Sequence, residues 1–456
     1  MTLPPALTWA YLFAPGAAFD CKQGPAWLVQ AIANQPRNAG DPIPVICGGE
    51  SNQMPDLSAA PALVAINCPK LSESTLGRQG FEYVRRFAVI PNLQHARWFI
   101  PLDNAAVASD GFALYKPSKP LSRFKHMAAR LAARVNLPGW YQDQICIAQR
   151  KAPKLYTVLS NLFDGRPVRM AISAGAPEPS RNRKPSIMIF DPQGQVLGFA
   201  KLGREPSVRH LLQHEAKLLR ALAEVNADTP RLLFADEVQG SLLMVQSPLS
   251  GRSSKAKLSD AHLNFLTTLQ RQERKPATQA DMVRELPSRL SALKVPHDDL
   301  DGALDDILPV LERMTIPATI VHGDFGPWNL RANGGRIFAY DWEYGQVDGL
   351  PMIDQFHHVL FCGYLFYRWD SRQGFRHLLE LSASRPQGYT PRQARALATI
   401  YLLDMLARLL GEDYDPADPM VVWFRDILTQ LTPMGRWPEG DRESVSCELE
   451  KTGAGT

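Results

Sequence analysis

The sequence predicts an α+β chain in two lobes, one rich in strands and one helical, preceded by an α/β extension. Three observations predict it. From residue 151 to 250 most apolar residues come in short runs separated by turn residues. Beyond 250 most recur every three or four positions over long stretches, the spacing of a helix face. Between them, Ser247-Pro248-Leu249-Ser250-Gly251-Arg252 is a polar break marked by proline and glycine. A chain of 456 residues is long enough for two or three cores. The expected divisions are an extension of unknown role over 1–150, a strand-rich lobe over 151–250, a helical lobe over 251–436 and a disordered tail over 437–456.

Composition narrows the class. Hydrophobic residues make up 45% and charged residues 21%, and the net charge is only +4. This gives no reason to expect nucleic acid or an anionic membrane as the main partner. The 6 cysteines are scattered without a C-x-x-C pair, which argues for reduced thiols rather than a zinc site or a disulfide framework. The first twenty residues lack a basic start followed by an apolar core. The apolar run at 359–367 is too short to span a bilayer. The expectation is a soluble cytoplasmic protein without a transmembrane segment.

The elements then follow in order. Residues 26–34 read as a helix, and 87–90, 97–100 and 112–115 as strands. Ser118-Lys119-Pro120 opens a helix to about residue 135, whose Lys119, Arg123, Lys125, Arg130 and Arg134 read as a solvated face. From Lys154 the pattern turns to long strands at 168–172, 186–191 and 195–202, the last two joined by Asp191-Pro192-Gln193-Gly194. The loop at 173–185 is rich in small and basic residues, a composition able to fold over a triphosphate. On the strand at 195–202, alternation places Lys201 on the face of Leu197 and Phe199. The next helix, with Ser207 as its N-cap, puts Glu215 in the middle of its apolar stripe. A carboxylate facing a core costs several kcal/mol unless paired, so Glu215 is expected to meet Lys201. A strand at 241–246 precedes the break. Helices are expected at 261–270, 282–293, 299–314, 353–369, 372–382, 391–410 and 420–431.

The chemistry concentrates in Ile320-Val321-His322-Gly323-Asp324-Phe325-Gly326-Pro327-Trp328-Asn329-Leu330 and in Asp341-Trp342-Glu343. A β-branched run leads into His322. Residues 330–332 and 336–340 form a hairpin around Asn333-Gly334-Gly335 and return Asp341 towards Asn329. Asp324 can take or orient a hydroxyl proton. Asn329 and Asp341 offer hard oxygens suited to Mg2+, which prefers a few protein ligands together with phosphate oxygens and water. His322 is expected to brace the loop, and Trp328 and Pro327 to stiffen it.

This arrangement, H-G-D-x-x-x-x-N followed by D-W-E, resembles the aminoglycoside phosphotransferase and choline kinase family, which has a protein-kinase-like fold. The resemblance covers about residues 155–435. It implies transfer of the γ-phosphate of ATP or GTP to a hydroxyl of a small molecule such as a sugar, an amino alcohol or an aminoglycoside-like compound. It implies Asp324 as catalytic base, with His322 beside it, and Asn329 and Asp341 as metal ligands. It implies Lys201 on the nucleotide phosphates, oriented by Glu215, and a hinge beside the adenine between Gln246 and Leu249. The loop at 173–185 departs from the glycine-rich pattern. The alternative is a nucleotide-binding scaffold that keeps the fold without catalysis. A protein kinase fits less well, because the short route from Asp341 to the helix at 353 leaves little room for an activation segment.

Overall fold

Eleven strands form one sheet in the computed structural model, in the order β1-β2-β3-β6-β4-β5-β7-β8-β9-β11-β10. They are β1 (Phe19–Asp20), β2 (Ile43–Cys47), β3 (Ala62–Ile66), β4 (Tyr83–Ile90), β5 (Trp98–Pro101), β6 (Asp143–Gln149), β7 (Arg169–Ser173), β8 (Ser186–Phe190), β9 (Val196–Gly203), β10 (Leu232–Val238) and β11 (Ser241–Gln246). The structure describes residues 5–431 except 14, 23, 36–41, 49–56, 70, 115–119, 176–182 and 385–387. The tail expected at 437–456 and the middle of the loop at 173–185 fall outside the described residues. The chain divides into two units: Met1–Ala216 with Arg231–Pro248, and Lys217–Pro230 with Leu249–Thr456.

The first unit holds the sheet. β1, β2 and β3 run parallel, and the other pairings are antiparallel. The pleat sorts side chains to two faces. Phe87, Val89, Phe99, Ile187 and Ile189 join one core with the short helix Pro5–Leu12, α1 (Ala26–Ala33) and residues of the helix at Lys154–Leu162. Their sequence neighbours Ala88, Ile100, Met188 and Phe190 join another core. That second core includes Val107 and Ala108 of α3 (Ala105–Gly111) and Ala133 of α4 (Pro120–Arg134). The sheet runs without a break across residue 150, since Trp98 and Phe99 of β5 pair with Ser173 and Ile172 of β7.

Three elements differ from expectation for identifiable reasons. Asn104 caps α3 by accepting the N–H groups of Ala106 and Val107, and the chain leaves that helix as a 3-10 turn, Phe112–Leu114, in place of a strand. Lys154–Leu162 is a helix, α5, because Leu155 and Leu159 are spaced to bury one face. β10 exposes Asp236 and Glu237 on the edge of the sheet and so carries a weak apolar pattern.

α6 (Pro206–Glu224) leads from the sheet into the second unit, which is mostly helical. Its helices are α7 (Asp260–Thr268), α8 (Asp281–Ser291), α9 (Asp298–Leu311), α10 (Ile353–Cys362), α11 (Ser371–Ala383), α12 (Pro391–Gly411) and α13 (Pro419–Leu431). α12 is buried along most of its length and starts on a capping box between Thr390 and Gln393. Two three-stranded sheets complete the unit: β12 (Arg252–Ser253) with β15 (Leu330–Asn333) and β16 (Arg336–Ala339), and β13 (Gln270–Pro276) with β14 (Thr315–Val321) and β17 (Gln346–Gly349). The single helix expected at 353–369 ends as a π-turn, Gly363–Tyr367, because Trp369 folds back over Gly363, where a Cβ would overlap its ring. Among the described residues no helix is long and apolar enough to cross a membrane.

Candidate active site

The first unit places Lys201 at the centre of β9, opposite Met244 of β11 and Ser186 of β8. Its ammonium lies 2.7 Å from both carboxylate oxygens of Glu215 on α6. Glu215 is 0% exposed and Lys201 9%. The helical and strand periods thus meet as the sequence predicts, in a pair held where removal of either charge would strand the other. Gln246 closes β11 opposite Phe199, and its buried Oε1 has no hydrogen-bond donor among the described residues. Leu249, the other expected hinge residue, is half-buried and belongs to the second unit.

In the second unit β14 delivers His322 and Asp324 into a tight loop. Gly323 turns the chain at φ +75°, and a Cβ there would overlap the Tyr344 carbonyl oxygen. His322 is fully enclosed. Its Nε2 donates to the Tyr340 carbonyl at 3.0 Å and its Nδ1 accepts the Asp324 N–H at 3.2 Å, which defines a neutral tautomer. Burial pushes its pKa down to about 4, although neighbouring carboxylates pull the other way. With both nitrogens engaged, His322 braces the loop.

Asp324 is held from three sides. Asn329 Nδ2 donates to Oδ2 at 2.8 Å, Trp328 Nε1 lies 3.2 Å from each oxygen, and His357 Nε2 lies 3.1 Å from Oδ1. A carboxylate accepts only, so His357 carries its proton on Nε2, leaving Nδ1 towards the Tyr401 hydroxyl at 3.5 Å. Burial favours the protonated carboxyl, but the His357 hydrogen bond, the adjoining His357 and His322 imidazoles and the Arg408 guanidinium together hold Asp324 below the usual carboxylate range. Burial also lowers the pKa of His357, which is therefore a neutral donor at pH 7.

The hairpin of β15 and β16 returns the chain to this loop, and the Tyr340 N–H donates to the Asn329 carbonyl at 3.0 Å. The Tyr340 hydroxyl donates to the Trp328 carbonyl. The ring of Trp342 lies 4.4 Å from that of His322, centroid to centroid. Asp341, at φ +67°, sits between these two anchored residues. The Asn329 amide nitrogen donates to the Asp324 carbonyl and carboxylate, so Oδ1 is the atom left to meet a cation. An amide oxygen and a carboxylate at the two ends of this hairpin are a hard donor set that fits Mg2+. Mg2+ takes few protein ligands, and phosphate oxygens and water would complete its coordination.

Three supporting residues were not anticipated. Asp354, in the first turn of α10, accepts the N–H groups of His322 at 2.7 Å and Gly323 at 2.9 Å. It is enclosed, and burial raises its pKa to about 7 against the lowering effect of those hydrogen bonds. Arg408 of α12 donates to the Gly323 carbonyl at 2.9 Å and lies over the Tyr344 ring. His357, three residues after Asp354, fixes Asp324. Asp354 and His357 stand at helical spacing on α10, but beside Gln355 and His358, so the local sequence does not single them out.

The contacts of the expected site residues thus fall into two groups, Lys201 with Glu215 in the first unit and His322, Asp324, Asn329 and Asp341 in the second. No curated protein matches the chain. Solved structures similar to it include a putative fructosamine-3-kinase from Haemophilus somnus 129PT, 16% identical, with 61% of this chain and 97% of that one covered and a TM-score of 0.42. Aminoglycoside phosphotransferase APH(4)-Ia is 16% identical, with 63% and 100% covered and a TM-score of 0.41. The streptomycin–ATP complex of APH(2")-IIa is 17% identical, with 60% and 95% covered and a TM-score of 0.37. Residues 199–373 match the model of the phosphotransferase enzyme family, a stretch that contains Lys201, Glu215, Asp324, Asn329 and Asp341 together.

Proposed function

We propose that the protein is a small-molecule kinase that moves the γ-phosphate of ATP or GTP to a hydroxyl group. The observation that carries this reading is the placement of Asp324: half-buried, oriented by Asn329, Trp328 and His357, and held below the usual carboxylate range. Such a carboxylate accepts the acceptor's hydroxyl proton as the oxygen bonds to the γ-phosphorus and the β–γ bridging P–O bond breaks, releasing the nucleoside diphosphate. Lys201, held by Glu215, is suited to an anionic phosphate, and the buried Gln246 Oε1 is suited to a base N–H. Asn329 and Asp341 would hold Mg2+, which when bound neutralises charge on the β- and γ-phosphates. The family match over 199–373 supports phosphotransfer, and the small-molecule acceptor and the cytoplasm belong to the same proposal.

The test is nucleotide turnover with Mg2+ across a panel of hydroxyl-bearing sugars, amino alcohols and aminoglycosides, in the wild type and in Asp324→Asn. An acceptor-dependent release of ADP or GDP that falls by about 10²–10⁴-fold in the variant is expected. Equal turnover in both proteins would remove Asp324 from the mechanism. Nucleotide binding without turnover on any acceptor would leave the scaffold reading.

A further inference from the structure

α4 is docked the wrong way round for a helix that serves only its own core. An amphipathic surface helix normally buries its large apolar side chains. Here the inward face is made of small ones. Ala133 is buried beside Ala108 and Phe112, Ala129 packs against the same cluster, and His126 Nε2 meets the Phe112 carbonyl at 2.9 Å. The large side chains point outward: Phe124 is 64% exposed, Met127 62%, Leu131 63%, Val135 63% and Leu137 55%. At 3.6 residues per turn the first four fall within an arc of about 100°, a continuous ridge along the helix. They and Leu137 are five of the nine most exposed large apolar side chains among the described residues, so the exposure is concentrated on this helix and the residues that follow it.

The stretch of sequence that carries the ridge is basic. From 111 to 142 the sequence has 6 basic residues (Lys116, Lys119, Arg123, Lys125, Arg130 and Arg134) and no Asp or Glu. Lys125 flanks the ridge on one side and Arg134 on the other. Arg130, turned further inward, is tied to Asp110 at 2.6 Å. The small net charge of the whole chain conceals this local excess. A second copy of the chain docking through the same face would bring like charges together. A convex apolar ridge with cationic flanks instead matches a surface that is apolar beneath and anionic above.

We propose that α4 is an interfacial membrane-binding helix, with Phe124, Met127, Leu131 and Val135 entering the acyl boundary of an anionic bilayer and Lys125 and Arg134 meeting its headgroups. This is attachment in the plane of the interface, distinct from a spanning segment.

The test is co-sedimentation of the full-length protein with vesicles of phosphatidylcholine alone and of phosphatidylcholine with about 30% phosphatidylserine. Binding to the anionic vesicles only, weakening as salt rises, is expected. Phe124→Ser and Leu131→Ser should each lower partitioning by on the order of ten-fold. Lys125→Glu and Arg134→Glu should each lower it by about five-fold. These side chains are exposed, so unchanged circular dichroism and unfolding midpoints serve as controls for the fold. The proposal is overturned if the protein stays in the supernatant with anionic vesicles at low salt, or if Leu131→Ser sediments as well as wild type. It is equally overturned if sedimentation velocity shows a dimer that Leu131→Ser dissociates while vesicles go unbound, or if a single-stranded oligonucleotide is retained and vesicles are not.

Discussion

The Lys201–Glu215 pair allows stability and function to be separated. Glu215 is 0% exposed, whereas the Lys201 side chain keeps 11% of its surface. Lys201→Met therefore leaves a carboxylate with no route to water. Removing one partner of such a pair costs about 3–5 kcal/mol. Glu215→Met leaves an ammonium on a flexible stem that can reach towards the opening, so its cost should be smaller, about 1–3 kcal/mol. The double variant Lys201→Met/Glu215→Met buries neither charge and should return to within about 1 kcal/mol of wild type. Urea titration followed by circular dichroism gives the three values, provided the slope with denaturant is unchanged. Nucleotide affinity, measured in parallel, should stay low in the double variant although its stability recovers. If the double variant is as unstable as Lys201→Met, the charges are not the reason the single variant fails. If it binds nucleotide like wild type, Lys201 has no place on the phosphates.

Three further outcomes follow from the loop of the second unit. Gly323→Ala forces a Cβ onto the Tyr344 carbonyl at a positive φ, and should cost about 2 kcal/mol or more and at least ten-fold in turnover, measured by thermal unfolding and steady-state assay. His322 and Asp354 have opposite pH signatures. His322, lowered to about 4, contributes stability above about pH 6.5 that is lost as pH falls towards 4, while Asp354, raised to about 7, loses stability as pH rises from about 4 to 7. The two slopes offset each other in the wild type, so Asp354→Asn should make stability fall by about 1.4 kcal/mol more per pH unit on acidification between pH 6.5 and 4.5. An unchanged slope in denaturation curves across that window would refute the assignment. Chelating divalent cations should abolish turnover, and Asp341→Ala should raise the Mg2+ needed for half-maximal rate by at least ten-fold. Activity that persists in chelator would exclude a metal role for Asn329 and Asp341.

What could be read in advance followed from locality. Lys201 and Glu215 each broke a visible period, one of two residues and one of about 3.6, and a buried charge must find a partner. His322 through Asn329 lies in one loop, and the hairpin to Asp341 is set by Asn333-Gly334-Gly335. Asp354, His357 and Arg408 were hidden because they reach the loop from helices about 30 to 85 residues further on. Asp354 in particular reads in sequence as an ordinary acidic residue of a helix's first turn. β13 was hidden for another reason: Gln270 to Pro276 is almost wholly polar, and only its pairing with β14 makes it a strand. For α4 the sequence showed the charges, but which face docks is decided by Ala129 and Ala133 packing against Ala108 and Phe112, partners distant from them in sequence.

The pairing of β5 with β7 sets an order of events during synthesis. β6, β4 and β5 can zip together as soon as residue 149 has left the ribosome, but Phe99 must then wait about 23 more residues for Ile172. In that interval the nascent chain carries an open strand edge, with its N–H and C=O groups unmatched and apolar side chains on both faces. A cell making this protein has to keep that edge from neighbouring chains until β7 arrives. Slow translation between residues 149 and 172 would lengthen the exposure, and a chaperone covering that edge would shorten its consequences.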